Sequence, residues 1–278
     1  MFKGRKLLIA TKHQKETIIA PIFEKELDVI CFTSDAFDTD FLGTFSGEIE
    51  RKDDAITTLR NKCVLASEAT KSDLVVASEG SFGAHPTVFF AQANQELVML
   101  KDFKNDIEFI AREISIETNF SGQKISNETE LMDFTKKVNF PSHALILKPD
   151  DKNFDEIYKG INSEKVLIEK FNKLKNKFGF AYVETDMRAL YNPTRMLVIE
   201  KAIIQLIEKI KKSCPNCNTP GFDIVSAQAG LPCKMCHIAT RSTLYYLYEC
   251  KKCKFNQKKM FPRDIQYEDP TYCDSCNP

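Results

Sequence analysis

The sequence predicts an α/β fold, a mixed sheet with flanking helices, followed by a small cysteine-rich domain. Three observations carry this. Short apolar runs alternate with stretches of helical periodicity over the first two hundred residues. Eight of the ten cysteines lie beyond residue 212, as four C-x2-C pairs. The charge shifts at the same place: residues 1–200 hold 27 Lys+Arg against 32 Asp+Glu, whereas 201–278 hold 12 against 7. The chain is neutral overall, but its tail stands at +5. With 43 % hydrophobic and 28 % charged residues, the composition is that of a globular protein and excludes a disordered, collagenous or coiled-coil chain. The expected domains are residues 1–212 and 213–278.

The elements follow in order. Lys6 to Ala10 is a short apolar run suited to a buried strand, and Glu16 to Leu27 carries apolar residues at helical spacing. Asp53 to Ala69 is helical in pattern, and Asp73 to Ser78 is β-rich between polar turns. Further strands are expected at Thr87–Ala91, Leu97–Lys101, His143–Lys148 and Ala181–Glu184. Ser163 caps a helix that runs to Lys177 and stops at Gly179. The last helix is the best defined. Asn192 caps it, and Pro193 takes the first turn, where its missing N–H costs nothing. Met196, Ile199, Ile203, Ile207 and Ile210 then mark one face, and the helix ends near Ser213.

The four pairs are Cys214/Cys217, Cys233/Cys236, Cys250/Cys253 and Cys273/Cys276, separated by 15, 13 and 19 residues. A C-x2-C loop aims two sulfurs at one metal and a distant pair closes the tetrahedron, so the spacing points to two structural Zn²⁺ ions in a double zinc ribbon. A disulfide framework is the rival, disfavoured because nothing suggests export. The inner pairs, joined by the strand-like Ser242–Glu249, form one ribbon in a nested scheme; sequential and crossed pairings stay open. His237 follows a cysteine and reads as a knuckle residue, not a ligand. Eight thiolates and two Zn²⁺ add −4, which brings the tail near +1. Its surplus lysines therefore offset the metal sites.

No apolar run approaches the ~18 residues of a membrane span, and Leu7 to Ala10 is shorter than a signal-peptide core. The expected location is the cytoplasm.

Ligands of open α/β sheets bind at the carboxyl ends of strands, and three such ends carry chemistry. Thr11-Lys-His-Gln-Lys15 sets a hydroxyl and a lysine beside a helix N-terminus, an arrangement that suits an anion or a solvated loop equally. Ser78-Glu79-Gly80 places a carboxylate before a glycine, where a hydrated Mg²⁺ could approach, and Glu48 and Glu50 supply further carboxylates upstream. Glu184 to Arg195 sets two acids, two arginines and a capped helix start within twelve residues. Arg188 and Arg195 suit phosphate; the plainer alternative is that Asp186 and Arg188 pair with each other and hold the loop.

With Leu8-Ile-Ala-Thr11 and Lys15, then Glu50, then Lys62-Cys63, then Ala77-Ser-Glu-Gly80, the first hundred residues resemble the inosine/xanthosine triphosphatase superfamily of nucleotide pyrophosphohydrolases, which includes the Maf-like proteins. The resemblance implies an inosine triphosphatase-like sheet in which Lys15 contacts phosphate while Glu50 and Glu79 hold Mg²⁺ or position the attacking water. The family's base-reading Ser-His-Arg motif shares only its arginine with Asp186-Met-Arg188. Taken whole, with Asn192-Pro-Thr-Arg-Met196 and the ending Tyr272–Pro278, the chain resembles an uncharacterised bacterial conserved family of this layout.

The function expected is therefore Mg²⁺-dependent hydrolysis of a nucleoside triphosphate, standard or non-canonical. Glu79, Glu50, Lys15 and Asp186 are the candidate catalytic groups, and Thr11, Lys62, Arg188, Asn192 and Arg195 join Lys15 in holding substrate. The alternative is a non-enzymatic nucleotide sensor, or a ribbon that grips nucleic acid or protein. Tyr245, Tyr246, Tyr248, Lys258 and Lys259 could stack bases and touch phosphates, but the near-neutral zinc-loaded tail disfavours nucleic acid. A homodimer is left open. Cys31 and Cys63 have no identifiable base partner and are not expected to act as nucleophiles.

Overall fold

A computed structural model describes residues 1–11, 13–36, 53–88 and 90–278. The described chain divides into two compact units, Met1–Leu206 and Ile207–Pro278. Among the described residues no helix is long and apolar enough to cross a membrane.

The first unit is mixed α/β. It opens with β1 (Lys6–Ala10), α1 (Glu16–Leu27), β2 (Ile30–Phe32), α2 (Ala55–Thr70), β3 (Leu74–Ala84), β4 (Gln92–Asp102) and β5 (Ile107–Ser115). The five strands form one mixed sheet in the order β2-β1-β3-β4-β5. β1 pairs in parallel with β2 and β3, while β3, β4 and β5 follow as an antiparallel meander. Parallel neighbours need a crossover, which α1 and α2 supply. Asp54 starts α2 by accepting from the amides of Ile56 and Thr57, at 2.9 and 3.1 Å. The buried face of that helix, Leu59, Cys63 and Ala66, packs on Leu8 and Ala10 of β1, Val75 and Ala77 of β3, and Leu97 and Met99 of β4. Side chains alternate along a strand, so the residues between these point to the opposite face of the sheet.

A second, antiparallel sheet completes the unit. It is built from β6 (Gly122–Ile125), β7 (Leu145–Lys148), β8 (Tyr158–Ile161) and β9 (Ala181–Thr185), in the order β6-β9-β7-β8. Helices α3 (Glu128–Lys137) and α4 (Glu164–Phe178) cover one face, burying Leu131, Phe134, Leu167 and Phe171 against Leu145, Leu147, Ala181 and Val183. Gly179, at φ +83°, ends α4, and its N–H reaches the Lys175 carbonyl at 2.7 Å. Helix α5 (Pro193–Lys211) follows.

The second unit carries a three-stranded antiparallel sheet, β10 (Asp223–Ala229), β11 (Thr243–Glu249) and β12 (Asn256–Met260). The expectation of a strand at Thr87–Ala91 is corrected. The described residues there form a turn: the His85 N–H donates to the Ala91 carbonyl at 2.8 Å, and the His85 imidazole Nδ1 accepts from the amides of Thr87 and Val88. A side chain has taken the donors a strand ladder would need.

Candidate functional site

β1 ends beside the middle of β3, since Ala10 pairs with Ala77, and β3 runs on along β4 as far as Ala84, so Ser78–Gly80 is not the strand end that the sequence suggests. Ala77 and Glu79 face α2, while Ser78 and Gly80 face the other way. On the α2 side, Lys62 meets the Glu79 carboxylate, both nearly buried. On the other side, Lys15, the residue preceding α1, is 5 % exposed and its Nζ donates to Ser78 Oγ at 2.9 Å. Glu96 of β4 stands directly opposite Gly80. Its carboxylate takes Nε and Nη2 of Arg195, from the first turn of α5, at 2.7 and 3.4 Å. Arg195 also donates to the Met187 carbonyl and lies 5.3 Å from the Phe82 ring.

This packing requires glycine at position 80. A Cβ there would sit 2.4 Å from Arg195 Nη2 and 2.6 and 2.9 Å from the two Glu96 oxygens. Gly80→Ala is expected to force the ion pair apart and cost about 1–3 kcal/mol, the usual penalty of overpacking. Urea unfolding measures it, and an unchanged midpoint would contradict the geometry.

Lys15, Arg195 and Glu96 thus lie on one face of β3, and the Lys62–Glu79 pair on the other. Burial lowers the Lys15 ammonium to about 7, with Arg195 and Lys62 pushing the same way and Glu96 and Glu79 opposing. Two buried polar atoms near these groups, Thr11 Oγ1 and Asn94 Oδ1, have no hydrogen-bond partner among the described residues. Thr11 extends β1 by one residue past the Ala10–Ala77 pair, which places it next to Ser78; Asn94 lies two residues before Glu96, on the same face of β4. A buried polar group left unpaired costs about 1–3 kcal/mol. The Lys15 ammonium and the Thr11 hydroxyl are donors that suit an oxyanion, whereas Asn94 Oδ1 is an acceptor and calls for a donor of its own.

Of the residues singled out in the sequence, Thr11, Lys15 and Arg195 lie along one face of β3 about Ser78 and Gly80, and Lys62 and Glu79 pair on its other face. Asp186 and Arg188 turn to each other. Asp186 is fully buried and accepts from the Arg188 backbone N–H at 3.1 Å, from its Nε at 3.0 Å and Nη2 at 2.6 Å, and from the Gly160 N–H at 3.0 Å. Asn192 acts through Arg195: its Oδ1 accepts the Arg195 N–H at 3.0 Å, and its amide donates to Asn119 at 2.9 Å. Glu48 and Glu50 lie outside the described residues. Sequence reasoning missed Glu96 and Asn94. No local signal marks either: Glu96 stands just before the apolar run Leu97–Leu100, and its partner Arg195 is distant in the chain.

Of the two carboxylates expected to hold Mg²⁺, Glu79 is among the described residues and Glu50 is not. Glu79 is held by Lys62 and Glu96 by Arg195, and among the described residues the groups of three or more potential ligands are the cysteine sets.

Those sets are Cys214, Cys217, Cys250 and Cys253, and Cys233, Cys236, Cys273 and Cys276, each with its ligand atoms within 4.8 Å of one another. The pairing is crossed, first knuckle with third and second with fourth, not nested. Sulfur–sulfur separations are 3.7 Å for 214–253, 3.6 Å for 217–250, 3.8 Å for 233–276 and 3.6 Å for 236–273. A tetrahedron with Zn–S bonds of ~2.3 Å has edges of about 3.8 Å, so both sets are suited to Zn²⁺. Each knuckle closes with the N–H after its second cysteine donating to the carbonyl of its first: Asn218 to Cys214, His237 to Cys233, Lys254 to Cys250 and Asn277 to Cys273. Asn218, His237 and Lys254 take positive φ to do so. Hydrogen bonding to Thr219 lowers the Cys217 thiol to about 6, whereas burial lifts Cys250 to about 11 and the facing Cys236 lifts Cys276 to about 12. Four thiolates this close need a cation between them.

The family model described as a domain of unknown function, DUF6671, matches residues 62–278. No curated protein matches the chain.

Proposed function

The chain belongs to the DUF6671 family, and from its site geometry we propose that the first unit binds a nucleotide by its phosphates and hydrolyses a phosphoanhydride bond. The observation that carries this reading is that, past the end of β1, residues Ser78–Gly80 of β3 are flanked by Lys15 and Arg195 on one face and by Lys62 on the other, beside Thr11 Oγ1, which has no hydrogen-bond partner among the described residues. Phosphoryl transfer asks a protein chiefly to position phosphate and to neutralise charge that spreads over its oxygens. Three preset cations do both. Glu79, fixed by Lys62 on the α2 face of β3, orients the attacking water.

The test measures phosphate and pyrophosphate release from a panel of standard and damaged nucleoside triphosphates, with and without Mg²⁺, by the wild type and Glu79→Gln. Selective release lost in the variant supports the reading. Nucleotide binding without turnover would make the unit a sensor, and neither binding nor turnover would overturn the site.

Lys15 gives the site a pH dependence with a defined sign. Its folded-state value of about 7 lies below the ordinary 10.5, so between these pH values the unfolded chain holds the proton more firmly than the folded one. The ligand-free protein gains stability as pH rises through that window. Phosphate binding runs oppositely, since an anion prefers the ammonium. Pyrophosphate affinity is expected to fall as pH rises from 6 to 8.5, and Lys15→Met to bind more weakly with a flat profile in isothermal titration. A wild-type profile equally flat would remove Lys15 from the site.

A further inference from the structure

The face of the second sheet opposite α3 and α4 is lined by Ile146, Lys148, Tyr182 and Glu184, and a cavity of about 250 Å³ opens over it. At its floor Lys148, 3 % exposed, holds its ammonium 3.0 Å from a Glu184 oxygen. The same Nζ lies 4.8 Å from the centre of the Phe154 ring and 5.4 Å from that of Tyr182, and Phe120 adds a third aromatic wall. Gly122 leaves room for this: a Cβ there would come within 2.6 Å of the Tyr182 hydroxyl. The lining charges do not suit a phosphate. Asp186 is neutralised by Arg188, and the remaining Lys148 faces both Glu184 and Asp151, an excess of one negative charge.

We propose that this cavity binds a planar heteroaromatic base through an edge bearing two adjacent N–H donors beside a carbonyl oxygen, the edge that guanine presents. The Glu184 carboxylate accepts the two donors, a Lys148 proton goes to the carbonyl, and Phe154, Tyr182 and Phe120 offer stacking faces. Adenine and cytosine bring one donor group beside a ring acceptor, and hypoxanthine lacks the exocyclic amine, so each leaves part of the carboxylate unpaired. Sites built to hydrogen-bond a group reject analogues that lack it. Burial raises Glu184 above its ordinary value, with Asp186 and Asp151 adding to the rise against the opposing Lys148, and N–H donors would relieve that cost. The cavity is small for a whole nucleotide but adjoins the cation cluster. Met187 lines it and accepts from Arg195, and the Phe120 ring packs on Phe82 at 5.5 Å. The inference deepens the nucleotide reading and rests on it for the phosphate end alone.

Calorimetric titration of the full chain with guanosine, inosine, adenosine and cytidine tests the cavity, because these probes lack phosphate. Guanosine is expected to bind at least tenfold more tightly than the other three. Glu184→Gln should abolish that preference, and Phe154→Ala, which leaves the Lys148–Glu184 pair intact, should weaken every nucleoside. Guanosine binding no tighter than inosine, no nucleoside binding at all, or a preference that survives Glu184→Gln overturns the proposal. Pyrophosphate, titrated separately, keeps the two claims apart: its loss with the guanosine preference intact sinks the phosphate site, and the reverse sinks this cavity alone.

Discussion

Chelation of zinc is expected to unfold residues 207–278 and to release both ions together. The second unit has little else to hold it. Its apolar cluster is Cys214, Phe222 and Cys250 with Tyr248 and Cys253 against them, and β10 is exposed along most of its length. Small domains of this kind draw their folding free energy from the metal, of the order of 10–16 kcal/mol per structural site. The crossed pairing adds cooperativity. The chain between Cys217 and Cys250 carries the knuckle 233/236, and the chain between Cys236 and Cys273 carries the knuckle 250/253. Opening either set therefore frees the segment on which the other is built. Native mass spectrometry during chelator titration should pass from two zinc ions to none, with amide exchange rising throughout β10, β11 and β12 and staying slow in β3 and β4. A long-lived species with one zinc and half of the unit protected would show that the two centres fold independently.

The legible parts of the chain were those with a local signature. β1, β3 and β9 are apolar runs, and α5 carries its own start signal in Asn192-Pro193. Lys15 and Glu79 were found because each lies shortly after an apolar run, Lys15 beyond β1 and Glu79 after the apolar first half of β3. β5 escaped although Ile107, Phe109 and Ala111 alternate inward, because Glu108, Arg112 and Glu113 keep the stretch from reading as an apolar run. α3 escaped because only Leu131, Phe134 and Thr135 of its ten residues are buried. Thr87–Ala91 misled because β-prone residues there give their amides to the His85 ring. Glu96 was invisible for a different reason: its partner Arg195 lies 99 residues away, and nothing local marks a carboxylate that will be neutralised by a distant helix. Knuckle pairing is illegible in the same way, since each C-x2-C offers an equal pair of sulfurs and only the fold chooses between them.

That distant pair supports the last expectation, which is that Arg195→Met destabilises the first unit by about 3–5 kcal/mol, the range for breaking a buried ion pair by removing one partner. Both side chains are fully buried, so the Glu96 carboxylate would be left without its counter-charge opposite Gly80. The Met187 carbonyl and the Phe82 ring would lose the guanidinium as well. Lysine is no substitute, because its single ammonium cannot reproduce the guanidinium's several donors to Glu96 and Met187 at once. The decisive comparison is the double variant Glu96→Gln/Arg195→Met. Removing the charge together with its partner should recover part of the loss, since neighbouring sites of this kind are non-additive by up to a few kcal/mol. Urea unfolding followed by circular dichroism suits a chain with no tryptophan. If the double variant is as unstable as the sum of the two single variants, the loss is one of packing, and the buried charge balance that holds the proposed phosphate cradle together is not what Arg195 provides.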